Sequence, residues 1–141
     1  MNSAPRRPVE MTIASDLNEA RRVQSEIEQA LRCGRFSDHD IFAIRLAVEE
    51  ALVNAIKHGN QLDRTKKVRI AYDITADRFD ISITDEGPGF DPEDVPDPMA
   101  AENLERPCGR GLLLMRHYMT EVAYSDRGRA VRMSKIRNGV K

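Results

Sequence analysis

Cysteine is scarce: among 141 residues only Cys33 and Cys108 carry a thiol. Two isolated cysteines build neither a disulfide framework nor a zinc site, so both read as ordinary reduced thiols. Neither charge sign is in excess. Net charge is −1, with acids and bases interspersed. Without a broad basic field, direct nucleic-acid binding is not expected. No apolar run approaches the length of a membrane span. The arm from Met1 to Pro8 holds two arginines with no apolar segment behind them, so it does not read as a secretory signal, and a cytoplasmic location is expected. Internal repeats and low-complexity tracts are missing as well. So are two common nucleotide signatures. There is no Gly-x-x-x-x-Gly-Lys-Ser/Thr loop, and no glycine fingerprint follows a first strand. Any nucleotide bound here is held in another way.

What is present describes one soluble domain. Hydrophobic residues make up 40% and charged residues 32%, enough apolar content for a single core. We divide the chain into a flexible arm (1–8), one domain (9–136) and a short tail (137–141). Val9, Met11 and Ile13 alternate with polar residues, which predicts a strand over 9–14. Asp16 is a helix N-cap with Glu19 at the capping-box position. Leu17, Ala20, Val23, Ile27, Ala30 and Leu31 share the face of that helix, which leaves through Cys33-Gly34. Ser37 caps a second helix, with Asp38 and Asp40 in its first turn. Val68, Ile70, Tyr72 and Ile74 share one strand face, and Phe79, Ile81 and Ile83 share the next, across a turn at Ala76-Asp77-Arg78. A last hairpin pairs 121–125 with 130–136, with Val131, Met133 and Lys135 on one face. Met115, Tyr118 and Met119 read as core. This order of elements predicts an α+β, two-layer sandwich: a mixed, mostly antiparallel sheet with helices on one face.

Three places stand out for chemistry. In the second helix the apolar positions Ile41, Ile44, Val48, Ala51, Leu52, Ala55 and Ile56 form a stripe at about 100° per residue. Glu50 and Asn54, four apart, lie along one line beside it, flanked by the small Ala43 and Ala47. Glu49 falls on the far side. Glu and Asn on a helix are ordinarily solvated, so this pair alone decides nothing. The second place is Asp85, which continues the inward parity of Phe79, Ile81 and Ile83. A carboxylate there needs a partner, either nearby backbone amides or a ligand. Gly87-Pro88-Gly89-Phe90 follows it, a reversal where backbone can come close to a ligand. Residues 91–108 lose all periodicity and read as a lid bracketed by glycines. The third place is Gly109-Arg110-Gly111, opening a helix over 112–118. Amides at a helix N-terminus attract phosphates, although many helices begin after glycine.

Together these stretches resemble a known family. The helix segment is similar to the N-box of the GHKL ATP-binding superfamily. Asp85-Glu86-Gly87-Pro88-Gly89-Phe90 is similar to its G1 box, and Gly109-Arg110-Gly111-Leu112 to its G2 box. With no helix bearing a phosphoacceptor His, the chain most resembles the anti-sigma-factor serine kinases of bacterial partner switching. The resemblance implies two cofactors, ATP and Mg²⁺. It implies that Asn54 ligates Mg²⁺, that Glu50 is the general base, and that Asp85 accepts a hydrogen bond from the adenine amino group. Gly87 and Gly89 would let the strand end approach the base. Gly109, Arg110, Gly111 and Leu112 would hold the phosphates, with Lys57 and His58 near them. The implied partners are a sigma factor and an anti-anti-sigma protein that is phosphorylated on Ser or Thr. Homodimerisation is implied by the resemblance alone. One departure stands out. Family members often carry a threonine pair after the last hairpin's glycine, one Thr supporting adenine, whereas Gly128 here precedes Arg129 and Ala130. That contact is then lost or passes to water. Two other readings compete: a nucleotide-gated binding module without kinase activity, and a detached histidine-kinase catalytic domain.

Overall fold

The computed structural model describes residues 8–88, 115–126 and 128–137. Strand β1 (Val9–Ala14) leads into helix α1 (Leu17–Arg32) and helix α2 (Asp38–Val53), which continues as a π-helical turn (Asn54–Gly59). Strands β2 (Lys67–Ile74) and β3 (Arg78–Thr84) follow, and β4 (Glu121–Ser125) and β5 (Ala130–Ile136) close the chain. Residues 115–118 are helical. The lid segment, Gly89 and the glycine loop at 109–112 lie outside the described residues.

Both long helices start where their capping residues dictate. Asp16 accepts from the Asn18 amide at 2.7 Å, and Ser37 from the Asp40 amide at 3.0 Å. Glu19, expected to complete a capping box, pairs instead with Arg22 at 3.5 Å. α1 also ends differently from expectation. The Cys33 and Gly34 amides bond back to Gln29 and Leu31, a tightened last turn, and Gly34 takes no left-handed conformation.

All four strand pairings are antiparallel, and the five strands lie in the order β1-β2-β3-β5-β4. The helices cover one face. Ile70, Phe79, Ile83 and Met133 of the sheet bury against Ile27, Leu31, Ile44, Leu52 and Ile56 of the helical layer. The opposite face carries small and polar side chains; Ala71, Ser82, Arg132 and Ala123 line up across four strands. Met115 and Met119 are buried, and Tyr118 packs on the core's edge, as their spacing predicts. Lys135 keeps its inward parity by snorkelling: its ammonium donates to the Tyr118 carbonyl at 3.0 Å. This architecture brings the end of α2 and the end of β3 to one edge of the sandwich.

Candidate active site

Glu50, on α2, and Asn54, at the start of the π-helical turn that continues it, sit four residues apart, and Ala43 and Ala47 of α2 are buried. Glu49 is exposed, whereas Glu50 is half-buried. Burial pushes the Glu50 carboxyl above the ordinary carboxylate range, against the pull of His58 and Lys57; Glu49 pushes the same way as burial. Lys57 and His58 are exposed but close enough to Glu50 to act on it electrostatically.

Asn54 begins the π-helical turn. Its Oδ1 is buried and has no hydrogen-bond partner among the described residues. A buried amide oxygen left that way costs about 1–3 kcal/mol. A cation or donor supplied by a ligand would recover that cost, and a hard oxygen suits Mg²⁺. No cluster of His, Cys, Asp or Glu among the described residues could hold a metal by itself.

The wide turn closes through backbone bonds that span five and six residues. The Asn60 amide reaches the Ala55 carbonyl and the Leu62 amide the Ile56 carbonyl, each at 2.8 Å. Gln61 and Leu62 then adopt left-handed conformations (φ 55° and 60°), strained for residues with side chains. Such turns gather at functional sites. This one delivers Gly59 against the end of β3. A methyl group built on Gly59 would overlap the Asp85 carboxylate, and one on Gly87 would overlap the Gly59 carbonyl. The Gly59 backbone thus stands where a side chain on Gly87 would lie.

Asp85 is half-buried. Its amide donates to the Arg129 carbonyl at 2.9 Å, and its Oδ1 accepts from the Gly87 amide at 2.8 Å. Burial raises its pKa. The Gly87 N–H, Arg129 and Lys66 pull it down, and Asp126 pushes it up. The turn-starting role and a ligand role are therefore compatible, since the Gly87 bond occupies one of two carboxylate oxygens.

Of the expected residues, Glu50 interacts with Lys57 and His58, Asp85 is bonded to Gly87, and Gly59, five residues after Asn54, lies against Asp85 and Gly87. Gly89, Gly109, Arg110, Gly111 and Leu112 fall outside the described residues. Sequence reasoning missed what joins the two halves. Asn60 is fully buried. Its Nδ2 donates to Ser15 Oγ (2.7 Å) and the Lys67 carbonyl (2.9 Å), and its Oδ1 accepts from the Glu86 amide (2.7 Å). Glu86 in turn accepts from the Lys67 amide at 2.7 Å. The available signal was an amide directly after a helix-ending glycine, which reads as an ordinary stop.

Residues 13–135 match the histidine kinase-like ATPase domain family. The serine-protein kinase RsbW of Bacillus licheniformis is 33% identical over 73% of this chain and 69% of its own. The serine/threonine-protein kinase BtrW of Bordetella bronchiseptica is 30% identical over 66% of this chain and 67% of its own. The crystal structure of the RsbU and RsbW domains of a Mycobacterium tuberculosis protein aligns with a TM-score of 0.63 at 19% identity. It covers 95% of this chain and 33% of that one, and it shows the shared fold. This chain belongs to the histidine kinase-like ATPase domain family, among protein serine/threonine kinases of the RsbW kind.

Proposed function

We propose that this protein transfers the γ-phosphoryl group of ATP to a Ser or Thr of an anti-anti-sigma protein, and otherwise holds a sigma factor inactive. The observation that carries the site reading is the buried, unpartnered Asn54 Oδ1 one turn from a half-buried carboxylate. Asn54 would hold Mg²⁺ through that oxygen, and the ion would supply charge neutralisation at the nucleotide phosphates. Asp85 accepts from the adenine amino group. Lys57 and His58 face the phosphate side, joined by Arg110 and the amides of Gly109, Gly111 and Leu112. Glu50 takes the proton of the substrate hydroxyl as its oxygen attacks phosphorus. The bond to the ADP oxygen breaks, and ADP leaves with that electron pair. A carboxyl whose pKa is raised by burial is a stronger base once ionised.

Incubation with γ-labelled ATP, Mg²⁺ and candidate partner proteins tests this. Label is expected on a Ser or Thr of the partner, and Glu50→Ala is expected to abolish transfer while ATP still binds. Unchanged transfer in Glu50→Ala removes Glu50 as the base. ATP uptake with no transfer to any partner favours a nucleotide-gated binding module.

A further inference from the structure

The strand end carrying Asp85 is gripped from two sides. The π-helical turn holds one side through Gly59 and the Asn60 that follows it. On the other side stands Arg129, in the turn between β4 and β5. Its carbonyl takes the Asp85 amide at 2.9 Å, which extends the β3–β5 ladder by one step. Its guanidinium reaches across the strand end. Nε donates to the Gly87 carbonyl at 2.8 Å, and Nη2 to the Pro88 carbonyl at 3.0 Å. Asp126 steadies the same group at 3.6 Å. Two donors in one plane on two consecutive carbonyls are what a guanidinium provides and an ammonium does not. Fixing those carbonyls fixes the adjoining peptide planes. The Gly87 N–H that holds Asp85 Oδ1 belongs to the same short segment.

The geometry points to Arg129 as the positioning residue for the base end of the site: its fork fixes the Gly87–Pro88 backbone that aims the Asp85 carboxylate. It therefore governs affinity for the adenosine part of ATP and leaves the phosphate part alone. This rests on the reading of Asp85 as the adenine-binding group. It also gives Arg129 a role where related chains often place threonine. Arg129 further favours the ionised form of Asp85, the form that can only accept. The other charges acting on Asp85 are Lys66, before β2, and Asp126, in the Arg129 turn; Glu86 is its chain neighbour. From the π-helical turn Gly59 stands against Asp85, and Lys57 and His58 act on Glu50.

Calorimetric titration of the full chain with Mg²⁺-ATP and with Mg²⁺-tripolyphosphate, between about pH 5 and pH 8, tests it. Arg129→Ala is expected to weaken ATP about tenfold and to leave tripolyphosphate unchanged. It should also move the acid limb of ATP binding to higher pH, since Asp85 loses a cation. Arg129→Lys should restore the acid limb but not the full affinity, because the charge returns without the fork. Equal losses for both ligands, or an Arg129→Ala protein with wild-type affinity and limb, overturn the proposal while the site reading stands. Loss of the fold in both variants makes Arg129 structural and overturns it too. If the wild-type protein takes up no ATP, the site reading falls and this inference falls with it.

Discussion

Glu50 and Asp85 are two carboxylates that burial makes harder to ionise. Such a group binds protons more readily folded than unfolded. Stability therefore falls as pH rises through the window between its unfolded and folded pKa values, and the full cost persists above that window. Glu50→Gln removes the cost at neutral pH. The nucleotide-free variant is expected to melt roughly 2–4 °C above wild type at pH 7. That gain should shrink as the pH drops below the folded pKa of Glu50. Thermal scans at several pH values check it, and an unchanged or lower Tm at pH 7 would contradict it. At this scale the sequence was informative about parity and less so about partners. Period-2 alternation placed Asp85 on the inward side, and four-residue spacing placed Glu50 beside Asn54. Nothing local announced that Asn60 would be buried or that Arg129 would fold back over Gly87 and Pro88. Those contacts join residues that are distant along the chain, and burial of a polar group follows only from what packs around it.

Among the elements, the π-helical turn decides most. It ends α2 against β3 with two bare glycines in contact. The two glycines differ in what stands next to them, so their variants should differ in kind. A methyl at Gly59 meets a side chain, the Asp85 carboxylate, which can rotate away. Gly59→Ala is therefore expected to weaken ATP binding with little loss of stability. A methyl at Gly87 meets the Gly59 carbonyl, which cannot move without the whole turn. Gly87→Ala is expected to cost about 1–3 kcal/mol of folding stability. Denaturant unfolding beside ATP calorimetry separates the two, and identical profiles for both variants would refute the distinction. The helix itself was legible, because its apolar stripe runs unbroken from Ile41 to Ile56. Its widening was not. Six residues are too few for a change of period to register against a 3.6-residue pattern, and Gly59 reads equally well as a plain helix stop.

Taken whole, the molecule is a sheet with one helical layer and a site at its edge. Nucleotide and metal should hold that edge together. At a concentration of Mg²⁺-ATP a hundred times its Kd, the fold should gain about 2.7 kcal/mol, seen as a Tm rise of several degrees. Chelating the metal should remove most of the gain. A Tm indifferent to ATP with Mg²⁺ present would argue against the site. The sandwich and its hairpins followed from alternation and turn chemistry. The strand order did not, because β5 slots between β3 and β4 by non-local pairing that no turn signal encodes.

The link from Ser15 to Asn60 also has a practical side. The residue that follows the first strand is a direct neighbour of the amide that ties the helical turn to the end of β3. Versions of the protein shortened past Ser15 are therefore not innocent changes. A version starting at α1 would forfeit an outer strand and leave that amide seeking a new companion. Trimming the chain ahead of α1 would unseat a buried amide far along the sequence.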